Sequence, residues 1–384
     1  LICISTSVSA ADGMSQAKTE FSQADSSASQ VFSYPVMRPS REEIRSWNQQ
    51  FSAEPVFSAK TEGVKAQDTG SSSLLEYLGY IPSERDQGEC GNCWVWASTG
   101  AIEIAHTLQN NVQDRLSVQY VNSRYNNGGL APYTSEDFAC NGGTPSIFSS
   151  FYTLMGAYGG NKIAIPWSNN NSAFRDGNAT TNTLVPASTI QTTPHYAIRD
   201  MSVERIETTG VSQEEAIFNI KAVIDSGNAV YLAFYYPDID SWREFYEFWD
   251  TGSEDDSFIR LDKYAGTEYS STGGAHAVLI TGYIDDGTTG YWQCLNSWGA
   301  PLNRPNGLFY ADMYMDYNAV YPYGTDTVPV VGCEKVSVGY VGAEPTPDPN
   351  GTSYNLTADF SASPQTGYPP LTVHFSDKTN ETPS

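Results

Sequence analysis

Six cysteines and four histidines carry most of the reactive chemistry open to this chain of 384 residues, and their spacing narrows what they can do. Cys90 and Cys93 are separated by Gly91-Asn92. A zinc site built on such a pair needs four ligands, usually from two close pairs, and no second C-x-x-C is present. A redox dithiol needs its pair between a strand and a helix of a βαβ unit. A helix does follow here, but IPSERDQGE before it reads as loop. The third chemistry makes Cys93 a nucleophile where the helix predicted from Trp94 toward Leu108 begins. The positive end of the helix macrodipole and the unpaired N–H groups there lower a thiol's pKa.

A nucleophilic thiol needs a base. His106 lies thirteen positions along the same helix, more than three turns from its start, and cannot reach. His195 follows Thr-Pro in a loop and His374 is near the end of the chain. By elimination the base is His276, in GGAHAVLITGY, at the start of a β-rich run after two glycines. After the turn Asp285-Asp286-Gly287 comes a second β-rich run, GYWQCLNSW. Paired as a hairpin, the two runs bring Asn296 near the His276 ring.

Four ordered segments resemble the papain-like (C1-type) cysteine peptidase family. They are Gln87–Trp94 (QGECGNCW), Cys140-Asn141-Gly142-Gly143, Gly274–Val278 (GAHAV) and Asn296-Ser297-Trp298-Gly299. The resemblance implies an α+β fold of two lobes, one helical around the Cys93 helix and one β-barrel-like around His276 and Asn296, with the active site in the cleft between. It implies Cys93, His276 and Asn296 as the triad, Gln87 as the oxyanion donor, and Trp298 as a shield over the His276–Asn296 hydrogen bond. Gly142 and Gly143 take the place of the segment that pairs with the substrate backbone. Pro145 and Ala277 stand where a specificity pocket has its walls, which suggests an apolar or aromatic substrate side chain. Cys90 and Cys140 correspond to a disulfide, and no cofactor or metal is implied. A transpeptidase would use the same acyl-enzyme, and a surface binding protein could keep the cleft without turnover.

The sequence departs from the family at three places. Ala275 stands before the histidine where many relatives carry Asp or Asn. The inhibitory motif of longer members is not visible in residues 12–70. An insertion before His276 carries Glu254-Asp255-Asp256, read as a solvated loop in preference to a calcium site because further ligands at regular spacing are lacking.

These residues must be positioned by a folded domain, and residues 73–342 have that composition. Before it, residues 1–11 read as the remnant of an export signal, with Val8 and Ala10 at a cleavage site. Residues 12–72 read as a pro-segment-like arm with one helix, opened by a Ser40/Glu43 capping box. After the domain, residues 343–353 form a Pro-rich linker. Residues 354–384 resemble the opening strands of a polycystic-kidney-disease-type (PKD) sandwich, a module suited to cell-surface association. Sequons at Asn170, Asn178, Asn350, Asn355 and Asn380 agree with a secreted or cell-surface protein. A net charge of −24 argues against nucleic acid as a partner. No run of 18 apolar residues is present, so no spanning helix is expected. The expected partners are protein or peptide substrates.

Overall fold

The computed structural model describes residues 34–63, 69–126, 139–157, 161–178, 183–255, 258–342, 360–363 and 374–377. The signal remnant, the Pro-rich linker, Cys3, Asp256, and the sequons at Asn350, Asn355 and Asn380 lie outside these residues. Contacts divide the chain at Thr346 and Pro347 into two units.

In chain order the first unit runs through α1 (Arg41–Ala53), β1 (Val56–Phe57), α2 (Ala59–Glu62), β2 (Gly70–Ser73), α3 (Cys93–Asn110), α4 (Val118–Asn126), α5 (Pro145–Ala157), β3 (Ile163–Ala164) and β4 (Tyr196–Ile206). It continues through α6 (Gln213–Asp225), β5 (Val230–Tyr236), α7 (Ile239–Thr251), β6 (Phe258–Ile259), β7 (Gly274–Asp285), β8 (Gly290–Leu295), β9 (Leu308–Asp312), β10 (Val320–Tyr323), β11 (Asp326–Pro329) and β12 (Val331–Tyr340). The fold is α+β. The main sheet has the order β1–β4–β12–β5–β7–β8–β9–β6, with β2 beside β7 and β3 beside β4. In the second unit, β13 (Phe360–Ser363) and β14 (His374–Asp377) form an antiparallel pair.

Three local decisions place the site. Helix α3 begins at Cys93, and all of its first fourteen residues are buried. It packs on β7 and β12, so its first turn meets the strand that carries His276. The turn at Asp285–Gly287 closes because Asp286 accepts hydrogen bonds from the backbone N–H groups of Thr288 and Thr289 (2.8 and 2.7 Å), an Asx turn. Across the hairpin Leu279 faces Leu295 and Ile280 faces Cys294. Strand parity therefore puts His276 and Asn296 on one face of the sheet. Helix α7, which leads into the insertion, is capped by Asp238, which accepts from the Ser241 N–H (2.8 Å). It buries Trp242, Phe245, Tyr246 and Trp249, one stripe at helical spacing, and the last three pack against the Trp298 ring.

The arm is built into this unit. Ser40 caps α1 and Glu43 closes the box: Ser40 Oγ accepts from the Glu43 N–H (3.2 Å) and Glu43 accepts from the Ser40 N–H (2.7 Å). A cap of this kind contributes about 1 kcal/mol. Ile44 and Trp47 are the buried side of α1. Arg41 and Arg45 pair with Asp326 of β11, and β1 adds a parallel strand to the edge of β4.

Candidate active site

Cys93 occupies the first turn of α3 and is fully buried. The Cys90–Cys140 disulfide forms and ties the loop before Cys93 to the Gly142-Gly143 segment. From β7, the Ala277 N–H donates to Cys93 Sγ (3.4 Å), so the sulfur lies against the residue that follows His276. Ala277 thus touches the nucleophile through its backbone.

His276 Nε2 is 2.7 Å from Asn296 Oδ1. The same oxygen accepts from the Ser297 N–H (2.8 Å), which identifies it as the amide carbonyl. The ring therefore carries its proton on Nε2 and donates it to Asn296. That leaves Nδ1, which has no hydrogen-bond partner among the described residues, to take a proton. The Trp298 ring stacks on His276 at 4.4 Å and Phe234 meets it edge-on at 5.6 Å. The histidine–asparagine bond is kept dry by aromatic faces.

Gln87 is fully buried. Its side-chain amide donates to the Cys90 carbonyl (2.7 Å), while its Oε1 accepts from Ser297 Oγ (2.6 Å). Ser297 is a positioning residue that the spacing of reactive groups does not single out, although it stands inside a quoted motif. Gly142 has φ +117°, a value open to glycine and strained for other residues. A Cβ at Gly143 would lie 2.7 Å from the Trp94 ring. Both positions are closed to side chains, and Pro145 opens α5 after Thr144.

The cleft above these residues is occupied by the arm. Met37 and Ala275 exchange both backbone hydrogen bonds (2.8 and 2.9 Å). Pro35 O lies 3.5 Å from Gln87 Nε2, at the outer limit of a hydrogen bond. The Tyr34 ring stacks on Trp298 at 4.7 Å, and its hydroxyl bonds Asp250. A Cβ added at Gly142 would lie 3.1 Å from both the Met37 side chain and the Trp47 ring. Residues 34–37 thus run as an extended chain over the catalytic line, despite the lack of a visible inhibitory motif.

This cover changes the charge state expected for the pair. Burial pushes the Cys93 thiol up to about 12, against the opposing backbone hydrogen bonds from Ala277 and the helix turn. Burial also holds the His276 imidazole down at about 4, although the bond to Asn296 favours its charged form. Burial thus acts against the charged form of both groups, and for Cys93 against the lowering expected from its place at a helix start. A helix terminus contributes about 0.3–1 kcal/mol, whereas full burial can cost a charged group on the order of 4–7 kcal/mol.

The remaining candidates are structural. His106 is buried against the Tyr196 and Tyr340 rings, and burial lowers it to about 4. Cys294 and Cys333 are buried free thiols. Glu254, expected in a solvated loop, is buried instead. It accepts from the Asn306 N–H and side-chain amide (3.0 and 2.8 Å) and from the Leu308 N–H (3.3 Å), so it anchors the segment after Trp298. Among the described residues no cluster of three metal-ligating side chains is present, and no helix is long and apolar enough to cross a membrane.

The structure thus brings together a buried cysteine at a helix start, a histidine bonded to an asparagine, and a buried glutamine whose side chain bonds the segment on either side of them. Residues 76–225 and 254–322 match the papain family of cysteine proteases, and the chain belongs to that family. It is 24% identical over 240 residues to the oryzain gamma chain of Oryza sativa subsp. japonica, covering 61% of this chain and 53% of that protein. To human cathepsin O it is 27% identical over 222 residues, covering 57% and 54%. The chain spans about half the length of the curated relatives it matches. Digestive procathepsin L2 from Tenebrio molitor larval midgut is similar at a TM-score of 0.46 and 16% identity, covering 87% of this chain and 95% of that one.

Proposed function

We propose that the chain is an exported cysteine endopeptidase held latent by its own arm. Cys93 Sγ attacks the peptide carbonyl carbon as its proton passes to His276 Nδ1. The oxyanion is met by the Gln87 amide and the Cys93 backbone N–H, and the imidazolium protonates the departing amine. A thioester on Cys93 is left. Water adds to it with His276 as base, releasing the acid and the thiol. The observation that carries this reading is Asn296 accepting from Nε2, because it leaves Nδ1 to receive the thiol proton.

The arm supports latency in two ways. It fills the groove that an extended substrate needs, and it keeps both catalytic groups dry and neutral. Export is supported by the disulfide, which persists in oxidising compartments, and by the exposure of Asn170 and Asn178. Surface association through residues 354–384 rests on their resemblance to PKD-type strands and on the β13–β14 ladder. The test is cleavage of unfolded casein after the arm has been loosened. Cys93→Ala is expected to lower the rate at least about 10⁴-fold. A Cys93→Ala protein cleaving at the parent rate sinks the assignment.

A further inference from the structure

Residues 41–62 of the arm are tied to the core more deeply than residues 34–37. Val56 and Phe57 enter the main sheet as β1, where the Pro55 carbonyl accepts from the Arg205 N–H and the Phe57 carbonyl from the Glu207 N–H (both 2.9 Å). Phe57 and Ala59 are buried. The Ala59 N–H donates to Asn219 Oδ1 of α6 (2.9 Å), and the same side chain donates to the Glu207 carbonyl (2.8 Å). Further on, β2 pairs with β7, the strand that carries His276. Pulling this part of the arm away would unpair strands of the main sheet and bare Phe57 and Ala59 to water.

Helix α1 ends two residues before β1 and is fastened at both ends. At its start Arg41 pairs with Asp326 and donates to the Tyr323 carbonyl (2.7 Å). At its end Glu54 accepts from the Ser146 hydroxyl of α5 and bonds the Glu334 carboxyl of β12. Both acids are held above the usual carboxylate range, first by burial. A cavity is left between α1 and the core, beside Gly143 and Pro145. Trp47, Phe51 and Glu54 line it from the helix; Tyr231, Tyr235 and Glu334 line it from the sheet.

Residues 34–37 hold the cleft mainly by the two backbone bonds between Met37 and Ala275, which an extended peptide can remake. Once they are displaced, the cleft still ends at α1. The Trp47 ring stands over Gly142, on the segment expected to pair with a substrate backbone, and Gln50 lies beside Thr144 (3.4 Å). Pro35 O lies near the Gln87 amide, so Met37 marks a place two residues from the catalytic line. A substrate residue in that place has the cavity for its side chain and α1 in the path of any residue preceding it.

We infer that α1 is a permanent wall of the cleft, and that the opened enzyme takes peptides by their free amino ends and removes no more than two residues at a time. The removed residues stay on Cys93 as the thioester until water releases them as an acid, and the shortened peptide leaves as the amine. The inference rests on the peptidase reading and narrows it: cutting inside a chain requires α1 to move as well.

The test uses reporter amides with one, two, three or four residues before the scissile bond, all ending in the same residue. They are assayed with two full-length proteins. One carries Tyr34→Ala and Met37→Ala, which loosen the extended segment and leave α1 in place; the other carries Trp47→Ala in addition. In the first, kcat/KM is expected to drop at least about tenfold from two residues to three, the effect of a clash with a packed helix. In the second, the same ratio is expected within about threefold of one. A readout that needs no change in α1 is mass mapping of a longer unblocked peptide, which the first protein is expected to shorten from its amino end only. Equal rates for two and three residues in the first protein, a drop that survives Trp47→Ala, internal cuts by the first protein, or turnover seen only after Trp47→Ala overturns the inference while leaving the peptidase standing. No turnover of any substrate by either protein overturns the peptidase reading, and the inference with it.

Discussion

The arm touches the catalytic core at two places held by different physics. At residues 34–37 the contact is made largely through backbone: Met37 pairs with Ala275, and Pro35 O approaches Gln87. At residues 41–54 it is made by side chains, with Trp47, Phe51 and Glu54 in the cavity and Arg41 and Arg45 on Asp326. The first contact resembles what any extended peptide could make, so it blocks the cleft without being hard to displace. The second depends on particular residues and on their protonation. Blocking belongs to one region, and adhesion and its pH dependence belong to the other.

The sharpest way to separate the regions is Trp47→Ala. Removing a buried aromatic of this size costs about 3–5 kcal/mol, enough to shift arm docking by roughly 10²- to 4 × 10³-fold. Casein cleavage is expected to rise steeply, although no catalytic residue has changed. An unchanged rate would mean that residues 34–37 hold the arm by themselves.

Glu54→Gln gives the next largest effect, seen in pH dependence. Both Glu54 and Glu334 have raised pKa values in the docked state. Their contribution is therefore full below the ordinary carboxylate range and is lost as pH rises through the raised values. Docking is tightest in acid and loosens toward neutral pH. Hydrogen-exchange protection of residues 34–57, corrected for intrinsic rates, is expected to fall as pH rises from 5 to 8, because both carboxyls hold their protons more tightly docked than free. An amide at residue 54 can donate to the Glu334 carboxylate, so Glu54→Gln is expected to flatten that profile. A profile as steep as that of the unsubstituted chain would remove the acid pair from the account of docking.

The smallest effect is expected from Arg41→Ala with Arg45→Ala. These ion pairs to Asp326 are partly exposed, and such pairs contribute little and are screened by salt. A modest rise in cleavage at low ionic strength, absent at 0.5 M salt, is the expected result of that assay. A rise equal to that of Trp47→Ala would place adhesion on the surface charges instead of the cavity.

How far the sequence reaches differs between the regions for a physical reason. Cys93, His276 and Asn296 were legible because their chemistry restricts residue type and because hairpin parity and helix length restrict position. The Ser40/Glu43 box was legible because capping is local in sequence. The course of residues 34–37 was not, since a backbone hydrogen bond to Ala275 has no residue type to betray it. Glu254 and Glu334 were missed for a related reason. Their partners lie far away in sequence, so the same acid reads as solvated until the fold brings Asn306 or Glu54 against it. The burial that opposes a thiolate at Cys93 was not legible either, because helix position is visible in sequence and burial is not.

The most direct test is the rate of iodoacetamide alkylation of Cys93 between pH 4 and 9, followed by mass mapping in the full chain and in Trp47→Ala. The covered, neutral thiol predicts slow labelling of the full chain across this range. Loosening the arm predicts fast labelling below pH 7, where His276 and Cys93 can ionise as a pair. Equal rates in both proteins, or a loosened chain whose Cys93 reacts only above pH ~8 like an ordinary thiol, would contradict it.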